Sequence, residues 1–123
     1  GLRGEPVVIK GDGRPYRSYM YAAELAEWLW RLLLQGGNGT TYNVGSDAAV
    51  SIHELAEMVS STFPDLPPPC VLGTSDPSVR PPRYVPSIAR ARKELGLTLK
   101  YDLRQSIDVT IDFYRRGNGL RRR

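Results

Sequence analysis

The chain has 123 residues, of which 41% are hydrophobic and 24% are charged, and this length allows one compact domain with a modest core. Seventeen basic residues stand against 13 acidic ones, which gives a formal net charge of +4. No apolar run is long enough to cross a bilayer, and the single cysteine excludes an internal disulfide framework and a cysteine-rich zinc site.

The positive charge is concentrated at the C-terminus, where residues 121–123 are all arginine. The other basic residues nearly balance the acidic ones, so the body of the chain is close to neutral and nucleic-acid binding is disfavoured. We interpret residues 1–116 as the folded domain and residues 117–123 as a basic, disordered tail.

The first predicted elements are two strands. Residues 6–9 form a short β-branched run and residues 17–21 form a second strand-like run, with Gly11, Asp12 and Gly13 between them. This pattern predicts two strands that are joined by a glycine-rich turn.

A helix is predicted over residues 22–34, where apolar residues recur with helical spacing. One broad apolar face is formed by Ala22, Leu25, Ala26, Leu29, Leu32 and Leu33, and it is widened by Trp28 and Trp30. The glycine-rich residues 36–39 predict the end of the helix with a left-handed exit, and residues 41–44 predict a strand.

The next helix is predicted from a capping-box spacing. Ser51 is followed at the third position by Glu54, and the apolar stripe after them ends before Pro64. Residues 70–72 then predict another short strand, which is followed by an extended, proline-rich stretch.

The last two predicted helices complete a small mixed α/β domain. Ser87 is predicted to cap a helix that runs to Leu95 and stops at Gly96, and Asp102 with Gln105 repeats the capping-box spacing for the final helix. A few short strands beside about four helices predict an incomplete sheet.

Catalytic signatures are absent from the sequence. There is no Gly-x-Gly-x-x-Gly or Gly-x-x-Gly-x-x-Gly spacing, no phosphate-binding loop, and no tyrosine with a lysine four residues later. His53 is the single histidine, and its place in the first turn of a helix predicts an exposed residue and not a catalytic base. We therefore predict no catalytic residues and no metal ligands.

Three arginines stand where their charge could bind an anion. Arg17 follows the glycine turn, and Arg80 and Arg83 lie in the proline-rich stretch, where restricted backbone lowers the entropy lost on binding. A guanidinium can bind phosphate oxygens with two hydrogen bonds. The alternative is that these are ordinary surface arginines of an arginine-rich chain.

Five segments occur in an order that favours the anion-binding interpretation of these arginines over the surface-arginine alternative. They are VIKGDG at 8–13, RSYMYAAELA at 17–26, YNVG at 42–45, VSIHELA at 50–56 and RYVPSIARARKELG at 83–96. Together they resemble the C-terminal part of the extended short-chain dehydrogenase/reductase family, the NAD-dependent epimerases and dehydratases of nucleotide-diphosphate sugars. Among its members, the chain looks most similar to dTDP-glucose and CDP-glucose 4,6-dehydratases, with UDP-sugar 4-epimerases and decarboxylases as alternatives.

The resemblance implies binding roles for particular residues. The strand before the glycine turn, around Val8 and Lys10, would read the base through its backbone. Arg17 would bind the nucleotide diphosphate, and Asn43 of the Tyr-Asn-Val-Gly segment would contact the nucleotide.

A second diphosphate arginine is also implied by the resemblance, and both Arg80 and Arg83 match its place. The loop here is shorter than the family's usual Arg-Pro-Gly-Asp pattern, so both arginines remain candidates for this role. One departure is Ser18, because the family usually has Asp after the first arginine and a serine cannot pair with a cation.

The resemblance also implies that the chain is a fragment. In the family, the NAD-binding Rossmann half and the catalytic Tyr-x-x-x-Lys pair lie N-terminal to this segment. The fragment would be cytoplasmic, would bind nucleotide-diphosphate sugar without NAD, and would be inactive alone. It would also expose the face that normally meets the Rossmann half, which favours self-association. A different class of function is a non-catalytic, arginine-rich module that binds RNA or protein.

Overall fold

Within residues 1–117, which are the residues described by a computed structural model, the chain forms four helices and five two-residue strands. The helices are α1 (Ala22–Gln35), α2 (Ile52–Ser60), α3 (Ala89–Leu95) and α4 (Leu103–Arg115). The strands are β1 (Val8–Ile9), β2 (Tyr16–Arg17), β3 (Val50–Ser51), β4 (Cys70–Val71) and β5 (Arg83–Tyr84). The mixed α/β class with few strands is confirmed. Apart from Gly117, the tail predicted at residues 117–123 lies outside the described residues.

The strands form two separate small sheets. β1 pairs in parallel with β4, while β2 lies between antiparallel β3 and parallel β5. The predicted pairing of the first two strands was therefore wrong. Gly13 has a positive φ of 75° and its carbonyl accepts a hydrogen bond from the backbone N–H of His53 at 2.9 Å, so the turn crosses to α2 and does not fold back.

The predicted strand over residues 41–44 was also wrong, because this segment is extended but has no strand partner within residues 1–117. Its polar groups are bound by side chains instead. The Thr41 carbonyl accepts a hydrogen bond from Arg90 Nη1 at 3.0 Å, and Asn43 Nδ2 donates to the Ser87 carbonyl at 3.0 Å. The segment is thus held against the start of α3.

The main core lies between α1 and α3. Four buried residues form it, namely Trp28, Ile88, Ala91 and Leu97. Around them pack the partly buried side chains of Met20, Leu32, Tyr42, Val44, Leu95 and Leu99. The segments at residues 42–44 and 88–99 are therefore packed against α1.

That face of α1 is not the broad apolar face expected from the sequence. The buried residues of the helix are Glu24 and Trp28, whereas Leu29, Trp30 and Leu33 are 52%, 63% and 74% exposed. A carboxylate oxygen of Glu24 accepts the backbone N–H of Lys100, and Trp28 enters the core one turn later. These two contacts turn the leucine-rich side of the helix outward.

Two of the predicted helix starts are confirmed by their caps. The Ser51 hydroxyl accepts the Glu54 N–H, and the Glu54 carboxylate accepts the Ser51 N–H. Asp102 and Gln105 form the same reciprocal pair at the start of α4. These bonds satisfy amides that the helices themselves leave without partners.

The start of α3 and the exit of α1 differ from prediction. Ile88 and not Ser87 precedes the first turn of α3, and no side chain caps that helix. Gly96 ends α3 as predicted and is in the left-handed conformation, but Gly36 ends α1 with φ −64° and is extended. Within residues 1–117, none of the helices has the length and apolar character needed to cross a bilayer.

Candidate functional site

The three-stranded sheet brings two of the predicted site arginines onto neighbouring strands. In the register of β2 and β5, Tyr16 lies opposite Arg83 and Arg17 lies opposite Tyr84. Residues that are directly opposite share one face of a sheet, and successive residues alternate between faces. Arg17 and Arg83 therefore start from adjacent strands but from opposite faces.

Tyr16 contacts both of these arginines. The guanidinium carbon of Arg83 lies 5.7 Å from the centre of the Tyr16 ring, and Arg17 Nη1 donates to the Tyr16 carbonyl at 2.8 Å. The Tyr16 N–H donates to the Pro82 carbonyl at 2.8 Å and joins the two strands. The site is thus organised around Tyr16, in the middle strand.

The charges of Arg17, Arg80 and Arg83 are not neutralised by carboxylates within residues 1–117. Ion pairs are formed by other arginines of the described chain, namely Arg14 with Asp12, Arg90 with Glu94, Arg92 with Asp47 and Arg104 with Asp108. Because the three site arginines have no such partner, their positive charge is available to an anionic ligand.

The glycine turn fixes the segment that carries Arg80 and Arg83. Arg14 pairs with Asp12 at 2.7 Å and donates from Nη2 to the Asp76 carbonyl at 2.8 Å. The hydrogen bond from Arg14 holds the pKa of Asp12 below its ordinary value, and the Ser78 hydroxyl does the same to the pKa of Asp76. Both carboxylates are therefore charged at neutral pH, that of Asp12 bound by Arg14 and that of Asp76 bound by Ser78.

An open pocket of about 350 Å³ lies on the Tyr16 side of the sheet. It is lined by Asp12, Gly13, Arg14, Tyr16, Ser51, His53 and Pro81. His53 is half-exposed, as predicted, and its Nδ1 lies 3.6 Å from Glu57. The pocket is thus lined by the Arg14–Asp12 ion pair and by Tyr16, and Arg17, Arg80 and Arg83 are not among its lining residues.

Val8 and Lys10 lie apart from the arginines, in and beside β1. The carbonyls of Val7 and Ile9 accept hydrogen bonds from β4, at 2.9 Å each, so the backbone of Val8 and Lys10 faces the other edge. That edge has no strand partner within residues 1–117. A mainly apolar pocket of about 360 Å³ lies between β1 and α2.

Asn43 and Arg80 have different surroundings. Asn43 is exposed and its amide donates to the Ser87 carbonyl, while Gly45, two residues later, lies close to Ser18 and Pro86, which follow β2 and β5. A Cβ at Gly45 would be 3.0 Å from Pro86 Cγ and 3.4 Å from Ser18 Oγ. Arg80 is exposed and makes no hydrogen bond within the described part of the chain.

Tyr16 is a residue that the sequence analysis missed. It directly precedes Arg17, which marks the strand, but its position over Arg83 depends on the register of two strands far apart in the chain. No local sequence pattern predicts that register. The pairing could have been proposed only from an expectation that β2 and β5 are neighbours.

The start of α2 does not fit the pyrophosphate of NAD. Such a group needs free backbone amides at a helix start that follows a strand. α2 follows β3 directly, but the amides of Ile52, His53 and Glu54 already donate to Pro15, Gly13 and Ser51. Residues 1–117 also contain no cluster of three His, Cys, Asp or Glu side chains that could hold a metal.

The chain is similar to proteins that act on nucleotide sugars. Residues 1–45 match the model of the NAD dependent epimerase/dehydratase family. UDP-glucuronic acid decarboxylase 2 of Arabidopsis thaliana is 31% identical over 115 residues, which cover 93% of this chain and 25% of that protein. dTDP-glucose 4,6-dehydratase of Xanthomonas campestris pv. campestris (strain B100) is 26% identical over 121 residues, covering 92% of this chain and 34% of that enzyme.

The fold is also found in a solved structure. The crystal structure of UDP-glucose 4-epimerase from Thermotoga maritima matches 95% of this chain and 37% of its own with a TM-score of 0.80 and 23% identity. The chain thus spans from a quarter to about a third of the curated relatives it matches, at 25% and 34% of the two above.

Proposed function

We propose that this chain is the nucleotide-diphosphate-sugar-binding part of a larger NAD-dependent enzyme, because its residues 1–45 match the model of the NAD dependent epimerase/dehydratase family and its relatives include a UDP-glucuronic acid decarboxylase and a dTDP-glucose 4,6-dehydratase. The observation that carries the proposal is the placement of Arg17 and Arg83 on neighbouring strands, where neither has an ion-pair partner among residues 1–117. In this proposal, NAD and the reacting groups belong to a Rossmann half outside this chain, and the chain alone catalyses nothing. The partial coverage of the relatives supports that division.

The proposed role of the arginines is to bind the diphosphate. Both guanidiniums contact Tyr16, and each retains N–H donors that can reach phosphate oxygens. The contact with Tyr16 supports Arg83 over Arg80 as the second diphosphate ligand. Energy gained at the diphosphate, far from the reacting carbon, would hold the sugar in place for the reaction.

The nucleoside would lie on the other side of the glycine turn. The free backbone edge at Val8 and Lys10 supports their proposed role in reading the base, because unpaired N–H and C=O groups can recognise a base edge. Asn43 is proposed to contact the nucleotide. Gly45, two residues after Asn43, packs beside Ser18 and Pro86, which supports a place for Asn43 close to the arginine-bearing strands.

The reaction of the intact enzyme has two candidates. Our specific proposal from the sequence is dTDP-glucose 4,6-dehydratase, and a relative with that name is 26% identical. A UDP-glucuronic acid decarboxylase is 31% identical, which favours a UDP-sugar as the second candidate. Comparison of UDP and dTDP binding by this chain shows which of the two bases it prefers and so distinguishes the two candidates.

Binding of UDP and dTDP by purified wild-type and variant chains tests the proposal. Arg17→Ala and Arg83→Ala each remove charge-assisted hydrogen bonds of about 1.5–3 kcal/mol, so we expect affinity to fall about 10- to 100-fold. Isothermal titration calorimetry measures this directly. Arg116→Ala, at an exposed arginine that follows α4, is the matched control and should leave the affinity unchanged.

Three results would contradict the proposal. One is the absence of binding to either nucleotide, and another is turnover of UDP-glucose or dTDP-glucose by this chain with added NAD. The third is RNA binding with a steep salt dependence that Arg17→Ala does not change, which would support the non-catalytic module instead.

A further inference from the structure

Tyr16 is the residue through which the two arginines are connected. It lies in the middle strand between Ser51 and Arg83, with its ring near one guanidinium and its carbonyl bound to the other. We propose that the Tyr16 ring is a positioning element that holds Arg83 for the diphosphate. This inference rests on the proposed function and deepens it.

The chemistry of a guanidinium explains why a ring suits this role. A cation over an aromatic ring is held by the ring's negative face, and the five N–H donors of arginine lie in the guanidinium plane. An aromatic contact therefore restrains the side chain while it leaves donors free. A carboxylate uses those donors instead, as Asp12 does with Nε of Arg14 at 2.7 Å and Asp47 with Nη2 of Arg92 at 3.1 Å.

The two contacts of Tyr16 are chemically independent. Arg83 is held by the side chain of Tyr16, whereas Arg17 is held by its backbone carbonyl, which every substitution retains. Removal of the ring should therefore loosen Arg83 and leave the contact of Arg17 in place. A substitution of the Tyr16 side chain therefore tests the ring without removing the backbone hydrogen bond to Arg17.

The experiment is a double-mutant cycle on UDP binding by the full chain. A cation–π contact at a partly exposed site predicts that Tyr16→Leu weakens UDP binding about two- to fivefold, while Tyr16→Phe, which keeps the ring, binds as the unmodified chain does. In the Arg83→Ala background, Tyr16→Leu should have no further effect. In the Arg17→Ala background, it should weaken binding by the same factor as in the unmodified chain.

Uridine provides the readout that separates positioning from folding. It lacks phosphates, so the affinity for uridine should be the same in Tyr16→Leu and the unmodified chain. Equal losses for uridine and UDP would assign the effect to a disturbed fold and overturn the proposal. Thermal unfolding of each variant gives an independent measure of folding.

Other outcomes also decide the question. Full UDP affinity in Tyr16→Leu, together with a loss in Arg83→Ala, would overturn the role of Tyr16 and leave the proposed function standing. Additive losses for Tyr16→Leu and Arg83→Ala would overturn it as well, because the ring would then act through another group. If the unmodified chain bound no nucleotide, both proposals would fail.

Discussion

Trp28 and Trp30 show how strongly position within one helix decides the role of a residue. They are two positions apart in α1, yet Trp28 is 2% exposed and Trp30 is 63% exposed. Residues two positions apart on a helix differ by about 200° around its axis, so the two indoles project from opposite sides of α1. Trp28 belongs to the core with Ile88, Ala91 and Leu97, whereas Trp30 lies on the open face.

The two tryptophans should therefore differ in their contribution to stability. Trp28→Ala leaves a cavity in the core and should lower the free energy of unfolding by about 3–5 kcal/mol. Trp30→Ala, the same substitution on the same helix, should change it by less than about 0.5 kcal/mol. Urea unfolding of the two variants measures the difference, and equal losses would contradict the assignment of the core.

The site residues were predictable from the sequence to different degrees. Arg17 and Arg83 were predicted because they match segments of a family, and the structure brings them to neighbouring strands. Tyr16 was not predictable, because its contact depends on a register between strands that are distant in sequence. The contact between this ring and Arg83 is a property of tertiary structure that no local sequence spacing predicts.

Elements with their own hydrogen-bonded signals were predicted best. Both capping boxes form as expected, because the bonds that start α2 and α4 are made between residues three positions apart. The strand pairings were not predicted, because each is made between distant segments. The segment at residues 41–44 has a strand-like sequence but no strand partner within residues 1–117, which shows that pairing and not propensity defines a strand.

The capping box of α2 predicts an acid-sensitive element. The pKa of Glu54 is held below its usual 4.5 by the hydrogen bond from the Ser51 N–H, so its charged form favours the folded state. This stabilisation is present above about pH 4.5 and is lost as the pH falls through the lowered pKa. Glu54→Gln keeps an oxygen acceptor but carries no charge. In this variant, the thermal midpoint should fall less steeply between pH 5 and about pH 3 than it does in the unmodified chain.

Asp12 and Asp76 also contribute to the pH dependence of the thermal midpoint. Both carboxylates also have lowered pKa values, so a residual decline in acid is expected in the Glu54→Gln variant. An unchanged slope on replacement of Glu54 would contradict the contribution of the capping box.

At the scale of the whole molecule, the main feature is an apolar surface on α1 that is not covered by residues 1–117. Its exposed side chains are Ala22, Ala23, Leu25, Ala26, Leu29, Trp30, Leu33 and Leu34. A contiguous apolar surface of this kind is typical of an interface. We propose that it meets the Rossmann half in the intact enzyme, and that two copies of this chain associate through it when that half is absent.

Self-association of the purified chain tests this surface. Sedimentation should show a concentration-dependent dimer, and Leu29→Glu or Leu33→Glu should shift it toward monomer, because each places a charge in the apolar contact. Leu72→Glu is the matched control, since Leu72 is 63% exposed but follows β4. A monomer at all concentrations for the unmodified chain would contradict the prediction.

Glu24 has a consequence for the aggregation of this chain. Its carboxylate accepts the Lys100 N–H, and Trp28 fills the core one turn further on, so α1 cannot rotate to bury its leucines without losing both contacts. The leucine-rich surface therefore stays exposed whenever nothing covers it. An exposed apolar surface of this kind raises the risk of aggregation until an interface forms.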